Sequence, residues 1–447
     1  MDYIPHSEKQ TREMLGRLGL SSIDGLFSDI PAALRLKKEV NLPRGLTEQE
    51  LVVKFQSLTG LNAVSPSRQV CLMGAGAYNH FIPSVIDSLV SRGEFLTAYT
   101  PYQPEISQGL LQSIWEFQEM ICRLTGMEAS NASHYDGATA LAEALVMAAN
   151  ITGRTGIVLS GTVNPQYAEV CATYNMSGRL DLKSLKHGGG RSDLKALKSI
   201  LDANTAAVVV QNPNWFGQIE DMAEAARLAH ENGSLLISAT NPLSLGLLKS
   251  PGECGADIAA CEGQTLGIPL GFGGPYLGLL ATKKKYIRNL PGRIVGRTVD
   301  IEGRTAYVLT LQAREQHIRR EKASSNICSN QALAALRAGI YLSLMGDTGL
   351  RTIGSVCRDK AFRFFKSLTR PGLLRPAFDG PFFNEFCVRF PSAADRDRVR
   401  SKLAEEDILF GVPLGDPADG LLVAVTETVS EEDLDRTCRR VKELLHG

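Results

Sequence analysis

One stretch of the chain combines residues that suit a ligand site but lack reactive groups. The segment CEGQTLGIPLGFGGPYLG (261–278) is rich in glycine and proline, which weaken helices and central strands. Such a composition predicts a tight loop whose backbone approaches a ligand closely, followed by a strand over 276–282. After Glu262 the segment offers no lysine, histidine, cysteine or carboxylate until Lys283. Beyond Glu262, the loop therefore predicts a binding surface without a nucleophile or an acid.

A second stretch, TAYTPYQPE (97–105), carries two tyrosines and a glutamate on a turn fixed by prolines. Phenol groups donate hydrogen bonds from rigid, amphipathic rings. Tyr99, Tyr102 and Glu105 are therefore candidates to line a small polar pocket. The alternative is that the tyrosines only pack against neighbouring residues. A helix is predicted from Ser107 to its end at Gly126.

A third stretch follows an arginine-rich run over 297–320, which by itself is typical of a solvated face. The run ends in KASSN, just before a helix predicted over 330–344. A basic side chain, hydroxyls and free backbone N–H groups near a helix start are what phosphate binding needs. The candidates for this chemistry are Lys322, Ser324, Ser325 and Asn326.

The segment SHYDGATALAEA places a helix start after two further polar residues, His134 and Tyr135. Asp136 or Gly137 is predicted to cap a helix over 138–149. A helix that begins at glycine is a ready anion site. Because the Asp136 carboxylate would compete with a phosphate there, the N-cap role is favoured.

Beyond residue 153, short apolar runs such as GIVLSG and TAAVVVQNP alternate with helices predicted over 192–201 and 222–232. Strands that are apolar on both faces and separated by helices indicate a parallel sheet covered on both sides. Ligands of such sheets bind at the carboxyl ends of the strands. No G-x-G-x-x-G follows a strand with a correctly placed acid, so a dinucleotide fold is disfavoured.

The two ends of the chain differ from this pattern. We predict an amino-terminal arm over 1–69, with helices capped at Ser7 and Thr47. The large α/β domain is predicted over 70–335. The last third alternates helices with strand-like FFNEFCVRF and GLLVAVTE, which predicts a small α+β domain over 336–447.

Composition limits the functional classes. The 447 residues are 44% hydrophobic and carry no formal net charge, so nothing favours nucleic acid or a membrane surface as a partner. No apolar run has the length of a membrane span, and the first residues lack the pattern of a signal peptide. Nine scattered cysteines are typical of reduced thiols in the cytoplasm. Seven scattered histidines without an i, i+4 pair lead us to expect no metal site.

Four motifs together resemble one known family: YTPYQPEISQGLLQ, YDGATALAEA, EGQTLGIPLGFGGPYLG and REKASSNICSNQALAALRAGIY. They are similar to the amino-terminal half of the glycine cleavage system P-protein, which many bacteria make as a separate subunit. The resemblance covers essentially the whole chain. It implies fold type I of the pyridoxal-phosphate (PLP) transferases: a mainly parallel seven-stranded sheet with a smaller C-terminal α+β domain.

The resemblance also implies that this half carries no cofactor. In the cofactor-bearing half the loop has the form H-K-T-x-x-I-P, and its lysine falls on Gln264, whose amide cannot form a Schiff base. Related enzymes place an aspartate at an earlier strand end, where this chain offers Ser238 or Asn241. PLP is then expected on the homologous subunit 2, in an α2β2 assembly whose active site lies at the subunit interface.

By the same resemblance, the assembly decarboxylates glycine and transfers the aminomethyl group to the lipoyl arm of H-protein, alongside T-protein and L-protein. Ser325, or Ser324 as second choice, is implied to bind the phosphate of the partner's PLP, with Lys322 and Asn326 nearby. The residues implied to form polar walls of the site are Tyr99, Tyr102, Glu105, His134 and Tyr135. Two alternatives remain: a self-sufficient PLP decarboxylase or aminotransferase that uses Lys322 or another lysine, and an inert scaffold subunit.

Overall fold

The computed structural model describes residues 5–38, 40–61, 69–271, 273–323, 325–327 and 329–446. The chain divides into two compact units, Met1–Ser65 and Pro66–Gly447. The first unit holds helices α1 (Glu8–Arg17) and α2 (Glu48–Gly60). Both begin with capping boxes, at Ser7 and Thr47, which confirms the predicted caps.

The second unit contains the remaining helices and all seventeen strands of the described residues. The helices are α3 (Ser84–Val90), α4 (Gly93–Leu96), α5 (Gln108–Thr125), α6 (Gly137–Thr152), α7 (Pro165–Tyr174), α8 (Leu194–Ile200), α9 (Met222–Glu231), α10 (Gln316–Arg319), α11 (Ala332–Leu368), α12 (Ala393–Ala404) and α13 (Glu431–His446). The strands are β1 (Val70–Cys71), β2 (Ala129–Ser130), β3 (Gly156–Ser160), β4 (Asp181–Leu185), β5 (His187–Gly188), β6 (Arg191–Ser192), β7 (Thr205–Asn212), β8 (Leu235–Thr240), β9 (Ile258–Glu262), β10 (Gly278–Thr282), β11 (Ile294–Val299), β12 (Thr305–Thr310), β13 (Arg375–Pro376), β14 (Glu385–Arg389), β15 (Ile408–Leu409), β16 (Val412–Pro413) and β17 (Gly420–Ala424).

A seven-stranded sheet in the order β2-β10-β9-β8-β7-β3-β4 forms the centre of this unit. Neighbours from β9 to β4 pair in parallel, whereas β10 is antiparallel to both β9 and β2. The predicted mainly parallel, seven-stranded sheet is thereby confirmed. Its parallel strands end on one edge, and the candidate site lies there.

Both faces of the sheet are buried, as the apolar runs predict. In β7, Val208 and Val210 pack into one core with α5, α9 and α11 residues. Ala207 and Val209 of the same strand pack into a second core, with residues of α6. Successive side chains of a strand point to opposite faces, so a strand that is apolar throughout needs a layer of helices on each side.

A second, antiparallel sheet in the order β13-β14-β17-β16 packs with α11, α12 and α13 around a separate core. The helix predicted over 330–344 is the first part of α11, which breaks at Gly346, where φ is 57°. This arrangement is the small C-terminal α+β part of the fold. The domain boundaries at residues 69/70 and 335/336 stay a prediction.

The arginine-rich run differs from the expected solvated face in its first part. Strands β11 and β12 pair there as an antiparallel hairpin. Val295 and Leu309 are buried against α5, and the Arg297 guanidinium lies 5.1 Å from the Trp115 ring centroid. Leu309 is thus buried within the run and Val295 just before it, whereas the other described residues from 297 to 320 are exposed or partly exposed.

Within the part of the chain that the structure describes, we find no helix with the length and apolar character needed to cross a bilayer.

Candidate functional site

A small cavity of about 30 Å³ lies at the carboxyl edge of the large sheet. It gathers residues that end or follow β1, β3, β7, β8 and β9, together with the first residue of β14 and the residue before it. The lining residues are Gly76, Tyr78, Asn164, Tyr167, Gln211, Pro213, Thr240, Asn241, Glu262, Thr265, Asn384 and Glu385. Small-molecule sites typically enclose roughly 300–1,000 Å³, so this cavity has room for water only.

Gln264, the position on which the resemblance places the family's lysine, lies between the cavity-lining residues Glu262 and Thr265. Its side chain is 2% exposed. The amide Nε2 donates to the carbonyl oxygens of Tyr78 and Ile268, each at 2.9 Å, and Oε1 accepts from the Tyr78 N–H at 2.8 Å. Both amide protons and the oxygen are thus already used inside the chain, and the group acts as a strut between the loop and residue 78.

Glu262 ends β9 and is the residue that sequence reasoning passed over. Its Oε2 accepts from the Gly137 N–H at 2.9 Å, and its Oε1 accepts from the N–H groups of Gln264 at 3.0 Å and Leu277 at 3.2 Å. Burial raises the pKa of Glu262 to about 8, against the opposite effect of these three donors. The motif itself held a signal, since Glu262 is the last carboxylate before the loop.

Glu385 forms the opposite wall, and no local signal in the sequence pointed to it. It is 6% exposed and begins β14 of the small sheet. The Ala75 N–H and the Tyr78 hydroxyl each donate to its carboxylate at 2.7 Å. Burial raises the pKa of Glu385 to about 7 and that of Tyr78 well above its usual value. The pair is a closed hydrogen-bonded unit.

The end of β8 supplies neutral side chains to the cavity. The hydroxyls of Ser238 and Thr240 are 2.8 Å apart. The Asn241 Oδ1 accepts from the Leu243 N–H at 3.0 Å and from the Thr265 hydroxyl at 3.4 Å. These groups, too, are committed to local hydrogen bonds.

Pyridoxal phosphate does not fit this cavity. None of the lining residues is a lysine or an arginine, whereas two of them carry carboxyl groups. A phosphate dianion would meet those carboxyl groups without a compensating cation. The free volume is about a tenth of the lower end of the range for small-molecule sites.

The segment before α6 is hydrogen-bonded to the end of the glycine-rich loop, through the backbones of His134 and Gly278. Asp136 is the N-cap of α6, and its Oδ1 accepts from the Thr139 N–H at 2.8 Å, which confirms the predicted cap. His134 is fully buried, its Nε2 lies 2.7 Å from the Asn131 Nδ2, and burial lowers its pKa to about 3. The imidazole is therefore neutral, and the neighbouring Tyr135 is partly buried.

The residues predicted to line a polar pocket lie at the surface, and one of them, Tyr99, lines a cavity of about 210 Å³ there. Tyr99 is 85% and Tyr102 53% exposed, and Glu105 is exposed as well. An Arg293 Nη donates to the Tyr102 hydroxyl at 3.4 Å, and the guanidinium lies 5.7 Å from the Tyr102 ring centroid. Arg293 was not singled out from the sequence.

Arg293 connects this loop to the other predicted segments. A second Arg293 Nη donates to the Asn330 Oδ1 at 3.2 Å, and the Asn330 Nδ2 donates to the Ser133 hydroxyl at 3.0 Å. Residues 102, 293, 330 and 133 therefore form one polar chain. Beside it, residues of the tyrosine loop, α5, the β11–β12 hairpin and α11 surround a cavity of about 210 Å³.

The predicted phosphate-binding segment is only partly enclosed. Lys322 and Asn326 are exposed, and Ser325 is partly buried. The Ser325 hydroxyl accepts from the Ile327 N–H at 3.1 Å and hydrogen-bonds to Glu143. Burial raises the pKa of Glu143 to about 7. Ser324 lies outside the described residues.

One group of described residues has a donor set that could suit a metal ion. The ligand atoms of His80, Cys357 and Glu427 lie within 4.8 Å of one another. Burial acts to raise the pKa of Glu427, but His80 and the Phe81 N–H hold it below its usual value. Burial also raises the pKa of the Cys357 thiol, which donates to the Glu427 carboxylate. The contacts as they stand form a hydrogen-bonded link between the start of the second unit and α11.

Comparison with known proteins leads to the same family that the four sequence motifs resemble. Residues 1–440 match the sequence model of the family described as "Glycine cleavage system P-protein". The chain is 49% identical to a "Probable glycine dehydrogenase (decarboxylating) subunit 1" of Desulforamulus reducens, over 99% of both chains. A protein of the same description from Moorella thermoacetica is also 49% identical, over 100% of both chains.

Among solved structures, a glycine decarboxylase (P-protein) of the glycine cleavage system, in inhibitor-bound form, superposes with a TM-score of 0.92 at 44% identity, over 100% of both chains. A sphingosine-1-phosphate lyase of Burkholderia pseudomallei has a TM-score of 0.66 at 15% identity, over 93% of this chain and 94% of its own. The latter likeness concerns the fold alone. It agrees with the mixed α/β architecture of the PLP-dependent enzymes of fold type I.

Proposed function

Because the chain belongs to the glycine cleavage system P-protein family, we propose that it is subunit 1 of a two-subunit glycine dehydrogenase (decarboxylating). The enzyme releases the carboxylate of glycine as CO2 and passes the aminomethyl group to the lipoyl arm of H-protein, whose disulfide is reduced. The observation that carries the proposal is a full-length match to subunit 1 proteins combined with a cavity closed by this chain's own side chains.

In this proposal the cofactor is bound by subunit 2. The hydrogen bonds of Gln264 support this division, because a buried amide with all its bonds satisfied neither forms a Schiff base nor leaves room for one. The cavity lining supports it as well, since it contains no cation for a phosphate.

The contribution of this chain lies in its exposed polar surface. Tyr99, Tyr102 and Glu105 are accessible, and Arg293 holds the Tyr102 ring in place. Lys322 and Asn326 are accessible too, next to Ser325. We place these groups, with Ser324, at the interface with subunit 2, where they face its cofactor and the glycine.

His134 and Tyr135 have a different proposed role. His134 is neutral and enclosed, and its backbone N–H donates to the Gly278 carbonyl at 2.8 Å. It therefore positions the segment between the glycine-rich loop and α6. Tyr135, which is partly buried, lies nearer the surface than His134. The assembly is proposed to be α2β2 in the cytoplasm, and to act with H-protein, T-protein and L-protein.

The location of the cofactor can be measured directly. The chain is purified alone and together with subunit 2, incubated with PLP, reduced with borohydride and mapped by mass spectrometry. We expect the pyridoxyl label on subunit 2 only. A label on Lys322, or on any lysine of this chain purified alone, would instead favour a self-sufficient PLP enzyme.

A second experiment separates an active contributor from an inert scaffold. Tyr102→Phe and Ser325→Ala are assembled with subunit 2, and glycine–CO2 exchange is followed. We expect both to slow exchange. Ser199→Ala should leave it unchanged, because Ser199 is exposed and its hydroxyl donates to the Ala196 carbonyl of its own helix. Unchanged exchange in both test variants would favour the scaffold.

A further inference from the structure

The carboxyl group of Glu262 lies where three separate segments direct their backbone N–H groups. Gly137 contributes the first N–H of α6, Gln264 one from the turn after β9, and Leu277 one from the residue before β10. The α6 helix is 16 residues long. Its amino end therefore favours negative charge, and free N–H groups at such an end bind anions.

We infer that Glu262 is a built-in occupant of the anion position at the start of α6, and that it closes the cavity of this chain to phosphate-bearing ligands. The side chain takes up the donors that a bound phosphate would need. This inference rests on the proposed function in one respect, namely that the phosphate-bearing cofactor belongs to the other subunit.

The backbone around Glu262 is shaped for its close approach. A Cβ atom built on Gly137 would lie 2.8 Å from the Glu262 Cβ and 2.8 Å from the Tyr167 hydroxyl. A Cβ on Gly263 would lie 2.8 Å from a methyl carbon of Leu277. Contacts this short do not occur between real side chains, so glycine at these positions lets the carboxyl group reach its donors.

The rest of the cavity leaves no second position for a phosphate. Asp136, at the cap of α6, places another carboxylate beside Glu262. Glu385 and Tyr78 close the far wall, and the volume that remains is about 30 Å³. Removal of Glu262 is therefore the smallest change that frees the three N–H groups, and replacing Asp136 removes the neighbouring carboxylate.

Two variants of the full-length chain test the inference. Glu262→Ala removes the occupant. Glu262→Ala with Asp136→Ser also removes the Asp136 carboxylate but keeps an N-cap hydroxyl. Binding of inorganic phosphate is measured by 31P NMR titration and by the phosphate dependence of thermal unfolding. We expect phosphate to bind Glu262→Ala at least about tenfold more tightly than wild type, and the double variant more tightly still.

Glu253→Ala is the matched control, since Glu253 also accepts a backbone N–H, that of Ser250, but is exposed and remote from α6. It should bind phosphate no better than wild type. Folded Glu262→Ala and double variants that bind phosphate no better than this control would overturn the inference.

Carbodiimide labelling of the wild-type chain measures how accessible the Glu262 carboxyl group is, without the need for a variant. In the native chain Glu262 should react far more slowly than the exposed Glu253, and unfolding should remove the difference. Equal rates in the native chain would overturn the inference. A PLP label on wild-type chain, by contrast, would refute the proposed location of the cofactor and leave the phosphate gain of Glu262→Ala to be judged by itself.

Discussion

The closed cavity and the exposed polar surface use similar side chains in opposite ways. In the cavity, the amide of Gln264 and the carboxyl groups of Glu262 and Glu385 are all bonded within the chain. At the surface, Tyr99 is 85% exposed and Lys322 and Asn326 are open to solvent. Polar groups whose hydrogen bonds are satisfied internally stabilise a fold, whereas exposed ones remain available to a partner or a substrate. The difference teaches that the polar groups around the cavity stabilise this fold, whereas those at the surface remain accessible.

The largest expected effect comes from placing a lysine at position 264, beside the cavity. Gln264→Lys loses three hydrogen bonds and buries an amine, so we expect the free energy of unfolding to fall by about 3 kcal/mol or more. No PLP uptake should accompany the change. Urea unfolding and visible absorbance measure the two outcomes, and Gln166→Lys at an exposed position should change stability by less than about 0.5 kcal/mol. A stable, PLP-binding Gln264→Lys would break the distinction between the two regions.

The pH dependence of stability tests the charge state of the cavity. The pKa of Glu385 is raised from 4.5 to about 7, so the folded state holds a proton that the unfolded state releases. Stability should therefore fall as pH rises from about 4.5 to 7, and Glu385→Gln should remove about 2–3 kcal/mol of that fall. Denaturant unfolding at several pH values gives the measurement.

Glu427→Gln is the control of opposite sign. The folded-state pKa of Glu427 is lowered, so its contribution is present above the unfolded pKa and lost as pH falls. The variant should cost stability near neutral pH and less in acid. The same pH profile for both variants would show that the two carboxylates do not differ in charge state.

A smaller effect is expected from crowding the start of α6. Gly137→Ala places a methyl group 2.8 Å from the Glu262 Cβ, and overpacking of this kind costs about 1–3 kcal/mol. Gly109→Ala in α5 meets no atom within 4 Å and should be neutral or stabilising by up to about 1 kcal/mol. Thermal unfolding compares them, and an unperturbed Gly137→Ala would mean that the segment is not tightly packed.

The smallest effect on folding is expected at the surface. Tyr99→Ala should alter the free energy of unfolding by less than about 0.5 kcal/mol, because the ring is largely exposed. Its assembly with subunit 2 should weaken by about tenfold, as truncation of an aromatic interface residue does. Sedimentation of the mixed subunits measures this, with the exposed Phe362→Ala on α11 as control. Unchanged assembly would place Tyr99 outside the interface.

Much of the fold could be predicted from local patterns. Strands that are apolar on both faces and helices such as α5 and α6 were recognisable, because periodicity and capping are properties of neighbouring residues. The hairpin of β11 and β12 was not, since its arginines conceal the buried Val295 and Leu309. The antiparallel direction of β10 also follows from the sheet and not from its own residues.

The candidate site divides in the same way. From the sequence alone came the amide at 264, the cap at Asp136 and the tyrosine loop as a candidate site, whereas the exposure of that loop came from the structure. Only the tertiary structure decided that Gln264 bonds to Tyr78, 186 residues away, that Glu262 reaches Gly137 across 125 residues, and that Glu385 meets Tyr78 across 307. The identity of a side chain fixes which bonds it can make. Which partner it meets depends on the sheet order that brings distant segments to one edge, and local sequence holds no record of that order.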